Sequence, residues 1–172
     1  MKLRFINSAL VALAALLIAF PVLAADKGGL SVELTGKKVI KEANGKEKFE
    51  NASAAKPGDI IEYQAVYHNK GKKKVTDVHA IIPVPVGTDY IPGSARPAKI
   101  SASLDGKDYA PAPLKRKVKL PSGKEELKEV PATEYRFIRW GLKTLAPGQS
   151  VPVSVRVRIS TAPAQQSAPE KK

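Results

Sequence analysis

The chain has 172 residues and a formal net charge of +13, and it contains no cysteine. The lack of cysteine excludes disulfides, a lipoprotein attachment site and a cysteine-rich zinc site. The positive charge favours anionic surroundings, which include lipopolysaccharide, acidic polysaccharide, a membrane face and nucleic acid, and charge by itself does not choose among them.

The first 24 residues predict a signal peptide. Lys2 and Arg4 form a basic start, and an uninterrupted apolar run follows over residues 9–20. That run is shorter than the roughly 20 residues needed to span a bilayer, which argues against a membrane anchor. We therefore expect cleavage after Ala24 or Ala25, a short linker over residues 25–29, and a periplasmic or secreted protein with no membrane span after cleavage.

Alternation of apolar and polar residues predicts a first strand, with apolar positions at Leu30, Val32 and Leu34. A polar stretch over residues 41–56 follows, in which Phe49 is the one expected apolar anchor. The stretch leads into Pro57-Gly58, a pair typical of a type II turn because the second central residue of that turn needs a positive φ.

Two further strands have their expected inward positions at Ile61, Tyr63, Ala65 and Tyr67, and at Val78, Ala80 and Ile82. Asp105-Gly106 predicts a hairpin, because both residues tolerate a positive φ. Residues 111–133 contain four prolines and predict mainly a loop or an edge hairpin. In residues 134–140 the apolar residues change parity, so we expect either that both faces are covered or that a bulge intervenes.

The clearest strand closes the domain, with five β-branched residues at every second position: Val151, Val153, Val155, Val157 and Ile159. Residues 161–172 are rich in Ala, Pro, Gln and Ser, a composition that predicts a disordered tail. Many short strands, frequent Pro and Gly turns and no long amphipathic helix predict an all-β, two-sheet β-sandwich of about seven to nine strands over residues 30–160.

Five segments occur in a distinctive order along the domain: Pro57–Tyr63, Asn69–Gly71, Ile82–Ser94, Ser103–Tyr109 and Tyr135–Ile159. Together they resemble the conserved-repeat domain of bacterial envelope and surface proteins, a domain of unknown function numbered eleven, in its single exported form. The resemblance implies an immunoglobulin-like sandwich and an exported location, and it brings no catalytic residues to transfer. Ala80 stands where many members carry an acidic residue, so the resemblance implies no ion-binding or crosslinking role at this position.

The sequence predicts no catalytic, cofactor or metal site. The two histidines, His68 and His79, are expected on outward faces, where a zinc site would still need carboxylates beside them. Two carboxylate pairs could flank a substrate, namely Asp105 with Asp108 and Glu125 with Glu126. Solvated turn residues are the simpler interpretation of both pairs. A calcium ion at residues 103–109 is disfavoured as well, because two carboxylates fall short of the six or more oxygens that calcium needs.

Basic side chains are the candidate binding residues. The possible anionic-surface contacts are Lys72, Lys73, Lys74, Lys115, Arg116, Lys117, Arg156 and Arg158. Solvated loops are the competing interpretation. Few aromatic residues lie among these cations, which argues against specific nucleic-acid binding. We expect the aromatic residues of the strands in the core rather than on a sugar-binding platform: Tyr63, Tyr67, Phe137 and Trp140.

These observations predict a non-enzymatic module, without cofactors, that binds or organises a cell-envelope component. An envelope protein or an anionic glycan is the expected partner, and the module itself is expected to be a monomer. A strand-addition chaperone or fibre subunit is the first alternative, and it would show a missing strand or an exposed apolar donor segment. A carboxylate-based hydrolase is the second, and it would need a cleft with convergent titratable groups.

Overall fold

Short strands account for nearly all of the regular structure in the computed structural model, which describes residues 29–161. The eleven strands among these residues are β1 (Leu30–Lys41), β2 (Glu47–Asn51), β3 (Ile60–Asn69), β4 (Val75–Pro83), β5 (Thr88–Tyr90), β6 (Ser101–Ser103), β7 (Ala110–Pro111), β8 (Lys115–Lys119), β9 (Glu125–Glu129), β10 (Phe137–Leu145) and β11 (Ser150–Ile159). Two 3-10 helices accompany them, at Ala52–Ala54 and Ala132–Glu134. The predicted signal peptide with its cleavage positions Ala24 and Ala25, residues 25–28 of the predicted linker, and residues 162–172 of the predicted tail lie outside the described residues.

The strands form two sheets that pack face to face. Sheet A has the order β2-β1-β3-β11-β5, and sheet B has the order β4-β10-β6-β7. Strands β8 and β9 pair only with each other and form a separate hairpin arm. All pairings are antiparallel, and the chain changes between the two sheets at four places: from β3 to β4, from β4 to β5, from β5 to β6, and from β10 to β11. The predicted all-β, two-sheet sandwich is confirmed. Short strands in the predicted polar stretch and in the segment predicted as a loop or an edge hairpin raise the strand count above nine.

The core lies between the two sheets at most of the predicted inward positions, but Tyr63 and Phe137 are only partly buried and the prediction of a core position is wrong for them. The valine strand contributes three side chains that are at most 1% exposed, namely Val153, Val155 and Val157. Facing them, sheet B buries Val78, Ala80, Ile82 and Ile138. Trp140 is also buried, and its Nε1 donates a hydrogen bond to the carbonyl of Pro97 at 2.7 Å. The predicted core role of Trp140 is therefore confirmed, because its ring is enclosed between the sheets.

Phe49 does not anchor the polar stretch as predicted. It lies on β2 opposite Val39 and is 44% exposed. Strand β2 is an edge strand whose five residues are all exposed, so it lies outside the interface between the two sheets. The prediction for Phe49 is wrong because an isolated aromatic residue in a charged segment does not by itself reveal whether a second sheet covers it.

The change of parity near residue 135 has a simple structural cause. Tyr135 follows the second 3-10 helix and precedes β10, so its side chain does not obey the alternation of that strand. Within β10 the inward positions are Ile138 and Trp140. A bulge does occur, but further along, where the register shifts between Gly141 and Lys143. Tyr135 is nevertheless buried, and it contributes to a pocket described below.

Candidate functional site

A buried asparagine organises one end of the sandwich. Asn69 is 0% exposed, and its Nδ2 donates hydrogen bonds to the carbonyls of Lys73 at 2.8 Å and Leu145 at 3.0 Å. Its Oδ1 accepts a hydrogen bond from the backbone N–H of Gly71 at 2.9 Å. These bonds hold the β3–β4 loop against the β10–β11 turn, so both connections have a fixed shape.

The first described residue lies at the same end. The carbonyl of Gly29 accepts a hydrogen bond from the backbone N–H of Lys70 at 2.7 Å. Gly29 has a φ of +91°, and a Cβ at this position would come within 2.6 Å of the Gly71 backbone. Only glycine permits this approach without displacement of the loop. Strand β1 therefore begins directly beside the β3–β4 loop.

Exposed lysines are concentrated on that loop, at Lys70, Lys72, Lys73 and Lys74, and we call this group the lysine end. None of the four takes part in an ion pair within residues 29–161. The segments that meet here are residues 29–32, 69–76 and 141–150, and they contain no Asp or Glu. Three of the predicted contact residues, Lys72 to Lys74, thus lie among segments whose charged residues are all positive.

Two other predicted contacts are paired with carboxylates. Arg116 donates two hydrogen bonds to Glu134 at 2.7 and 2.9 Å. Lys117 lies 3.1 Å from Glu125 on the neighbouring strand of the hairpin arm. Both pairs are largely exposed, so their contribution to stability is small, but they balance the charge of the arm locally.

Lys115 and Arg158 are exposed on different parts of the domain. Lys115 is the cross-strand partner of Glu129 on the hairpin arm, and Arg158 is the cross-strand partner of Asp89. Each cation therefore has a carboxylate directly opposite it on the same face of its sheet. The structure does not bring either residue into the lysine end.

Arg156 is engaged within the protein. Its guanidinium donates two hydrogen bonds to Glu47, both at 2.7 Å, and one to Glu62 at 2.9 Å. Hydrogen bonding from Arg156 lowers the pKa of Glu47, and the bond to Glu47 raises the pKa of Arg156. Arg156 thereby ties the β1–β2 hairpin to the outer face of sheet A, and its charge is compensated by the two carboxylates.

The Glu47–Arg156 pair should make stability depend on pH in the acidic range. Arg156 holds the pKa of Glu47 below its ordinary value of 4.5 in the folded protein. The stabilisation is therefore fully present above that value and is lost as pH falls through the lower folded pKa. We expect Glu47→Gln to reduce the urea midpoint at about pH 6, and we expect this deficit to shrink as pH falls below 4.5.

Urea unfolding followed by the fluorescence of Trp140 over this pH range measures the effect. Glu50→Gln is the matched control, because Glu50 lies on the same strand and its carboxylate accepts from Lys48 two residues away. That variant should keep the midpoint of the original protein. A Glu47→Gln deficit that stays constant from neutral to acidic pH would contradict the electrostatic explanation.

The two histidines lie in different sheets. His68 is on β3 in sheet A, and its Nδ1 is 2.6 Å from the hydroxyl of Ser150. His79 is on β4 in sheet B, and its Nε2 is 3.3 Å from Asp77. Within residues 29–161, no group of three or more His, Cys, Asp or Glu side chains could hold a metal ion.

Asp105 stabilises its own loop. Its Oδ1 accepts hydrogen bonds from the backbone N–H groups of Lys107 at 2.8 Å and Asp108 at 3.1 Å, and from the hydroxyl of Ser103 at 3.0 Å. These hydrogen bonds, led by those from the backbone, lower the pKa of Asp105. The carboxylate is therefore used as a turn acceptor, and this arrangement supports the structural interpretation of the Asp105–Asp108 pair.

An apolar pocket of about 440 Å³ opens beside the base of the hairpin arm. Small apolar residues dominate its lining, which includes Pro92, Ala95, Ala98, Ile100, Ala112, Pro113, Val130, Pro131 and Ala132. Glu129 is the one charged residue of the lining. No sequence pattern predicts this pocket, because its residues come from several connections, and Ala and Pro in such segments simply predict loops.

Two stacked tyrosines support the pocket. The rings of Tyr90 and Tyr135 have their centroids 5.9 Å apart with an interplanar angle of 14°. The hydroxyl of Tyr135 accepts a hydrogen bond from the backbone N–H of Leu114 at 2.8 Å. Leu114 and Val130 are themselves buried and joined by a backbone hydrogen bond of 2.9 Å. The pocket and the base of the arm are therefore built as one packed unit.

The edge of sheet B formed by β4 is partly closed by a side chain. The hydroxyl of Tyr67 accepts a hydrogen bond from the N–H of Ile81 at 2.9 Å and donates one to its carbonyl at 3.4 Å. An added strand would need free backbone N–H and carbonyl groups at this edge, and those of Ile81 are already bonded to Tyr67. Asp77, on the same strand, has a φ of +55°, which interrupts the extended backbone.

One feature favours strand addition. Val32 and Leu34 are 41% and 48% exposed, although their cross-strand partners Tyr67 and Ala65 are buried on the inner face of sheet A. This part of β1 extends beyond sheet B. The exposed apolar residues of β1 favour strand addition, whereas the Tyr67 hydrogen bonds at the β4 edge oppose it. Strand addition therefore stays an alternative.

No family model, curated protein or solved structure matches the chain. The resemblance to the conserved-repeat domain therefore stays a prediction. Among the described residues, no helix is long and apolar enough to cross a membrane.

Proposed function

We propose that the protein is an exported, non-enzymatic β-sandwich module that binds a component of the cell envelope, and that the apolar pocket receives an apolar group of that component. The pocket is the observation that carries this proposal. Its volume of about 440 Å³ falls within the range of small-molecule sites, which are concave and mostly apolar. The exported location rests on the predicted signal peptide.

The chemistry of the lining supports binding rather than catalysis. Its titratable residues are Glu129, Tyr90 and Tyr135. Burial raises the pKa of Tyr90, so this phenol stays neutral near pH 7. The hydroxyl of Tyr135 is used by the backbone of Leu114. Nucleophilic or general acid–base catalysis requires a reactive group beside a base or a second titratable group, and the residues that line this pocket do not supply that pair.

The rigidity of the pocket also suits a binding module. The tyrosine stack and the Leu114–Tyr135 hydrogen bond fix one wall, and the three prolines of the lining restrict the backbone of the others. A ligand entering such a pocket orders few additional groups, which keeps the entropic cost of binding low. An apolar group is the expected ligand, because small apolar side chains dominate the lining.

Filling the pocket tests the proposal. Ala98 is exposed and lines the pocket, so Ala98→Trp places an indole ring in it without disturbing the core. With N-phenyl-1-naphthylamine as a neutral fluorescent probe, we expect binding to weaken by about tenfold or more, the equivalent of about 1.4 kcal/mol. Ala54→Trp, at an exposed position on the first 3-10 helix, is the matched control and should bind the probe as the original protein does.

Equal probe binding by the two variants would refute the pocket as the binding site. If the pocket variant weakens binding as expected, crosslinking of the protein in its own envelope can identify the natural component. A broad hydrolase panel provides the complementary test, because turnover that disappears in Asp105→Asn would replace the binding module by an enzyme.

A further inference from the structure

We propose that the lysine end is a docking surface for an anionic phospholipid membrane. Its four lysines are exposed and take part in no ion pair within the described part of the chain. The segments that form this end contain no Asp or Glu, and the nearest acidic residues in the sequence, Glu33 and Asp77, follow directly after two of them, so the lysines outnumber the nearby carboxylates. Clustered lysines of this kind are attracted to the negative potential of an anionic bilayer. This surface is separate from the apolar pocket and does not depend on its ligand.

The opposite end of the sandwich provides an internal comparison. The connections there are residues 42–46, 56–59 and 104–109, and together they carry three lysines and four acidic residues. One of these acids, Asp59, is paired with Lys38 at 2.7 Å. The two ends therefore differ in the sign and size of their charge. An anionic surface would attract the lysine end and would orient the long axis of the sandwich towards the membrane.

The loop that carries the lysines is fixed before it meets a partner. Asn69 bonds the backbone of Gly71, Lys73 and Leu145, which sets the positions from which the lysine side chains project. The lysine ammonium groups themselves are compact, hydrated point charges on flexible stems. Such groups suit a fluid layer of headgroup phosphates, whereas a single fixed phosphate would favour the bidentate geometry of arginine.

A lipid surface fits this end better than an anionic glycan does. Residues 69–76 and 144–150 contain no aromatic residue on which a sugar ring could stack. The amide of Asn69 is fully buried, and the Oε1 of Gln149 accepts a hydrogen bond from the backbone of Ala146 at 2.8 Å. Recognition of a sugar needs directional donors and acceptors, and these two amides are already engaged inside the protein.

Apolar residues beside the lysines add to the fit with a membrane. Ala146 and Pro147 are exposed in the β10–β11 turn, and Val32 is 41% exposed on the adjacent part of β1. A basic surface with small apolar neighbours can approach the boundary between headgroups and acyl chains, where both kinds of group find partners. The arrangement predicts shallow, reversible and salt-sensitive attachment.

Vesicle binding tests this proposal. The purified protein is mixed with vesicles of phosphatidylcholine containing about one third phosphatidylglycerol, and the bound fraction is measured by co-sedimentation at low and physiological salt. A lysine near such a surface strengthens partition about fivefold, so replacing Lys72, Lys73 and Lys74 together by glutamate should weaken it by at least about a hundredfold. Pure phosphatidylcholine vesicles should bind neither protein.

A matched control separates a local surface from the overall charge. Lys115, Lys119 and Lys124 are exposed on the hairpin arm, and their triple replacement by glutamate changes the net charge by the same amount. That variant should lose far less affinity for the vesicles. An equal loss in both triple variants would overturn the proposal, because it would show that overall charge rather than the lysine end drives binding.

Two further measurements separate the loss of positive charge from the gain of negative charge, and a membrane from a glycan. The triple replacement of Lys72, Lys73 and Lys74 by glutamine removes the charges without adding new ones, and it should also weaken vesicle binding by about a hundredfold while the circular dichroism spectrum is retained. Heparin affinity is measured in parallel as a model acidic polysaccharide. Loss of heparin binding with unchanged vesicle binding would assign the lysine end to a glycan and would refute the membrane proposal.

Discussion

Replacing Ile82 by alanine is expected to lower the free energy of unfolding by about 3 to 4 kcal/mol. Ile82 is 0% exposed on β4 and belongs to the largest fully buried side chains of the core. Its removal would forfeit the burial of three carbon atoms and leave a cavity between the sheets, because tightly packed neighbours relax only in part.

Ile81→Ala is the control, since it makes the same chemical change on the same strand. Ile81 is 38% exposed and points away from the core, so its replacement should cost less than about 1 kcal/mol. Equilibrium urea unfolding measures both variants. Because neighbouring strand residues face opposite sides, the pair tests the register directly: a reversed order of the two effects would mean that β4 is shifted by one residue.

Replacing Asn69 by alanine is expected to lower the free energy of unfolding by about 3 kcal/mol. The change would leave the carbonyls of Lys73 and Leu145 and the N–H of Gly71 without the partner that the amide provides. The bond to Leu145 is buried, so water can replace it only if the loop opens. Asn69→Asp should cost at least as much, because a carboxylate would face two carbonyl oxygens and could donate to neither.

Asn44→Ala provides the comparison for this second prediction. Asn44 also makes two side-chain hydrogen bonds, to Glu42 and from the backbone of Lys46, but both are exposed. Its replacement should change the urea midpoint only slightly, because water takes over these bonds. If Asn69→Ala were as mild as Asn44→Ala, the β3–β4 loop would not depend on the amide, and the fixed shape of the lysine end would need another explanation.

The architecture was largely predictable because it depends on period-two burial. The valines of β11 and the inward residues of β4 repeat at every second position, and a strand covered on one face imposes that repeat. Phe49 is a case in which the alternation of apolar and polar residues does not predict burial. Alternation reveals that a residue belongs to one face of a strand, but it does not reveal whether another sheet lies above that face.

The candidate sites were predictable only in part, for a related reason. Lys72, Lys73 and Lys74 are adjacent in the sequence, so their cluster is visible without a structure. The partners of Arg156 are not, because Glu47 lies 109 residues away and reaches it only after the β1–β2 hairpin has formed. The apolar pocket also combines residues that are far apart in the sequence, and it involves more of them. It arises where separate connections meet, and no periodic pattern marks such a place.

The position of Gly29 beside the lysine end has a consequence for the path of the polypeptide. The last described strand, β11, runs in the same direction as β1, from the lysine end to the far end, where the carbonyl of Ile159 accepts a hydrogen bond from the backbone N–H of Gly58. Strand β11 has ten residues and spans about 33 Å. The described part of the chain thus begins at the lysine end of the sandwich and ends at the opposite end. If the lysine end rests on a membrane, the domain acts as a spacer that holds Thr161 about 30 Å away from the lipid.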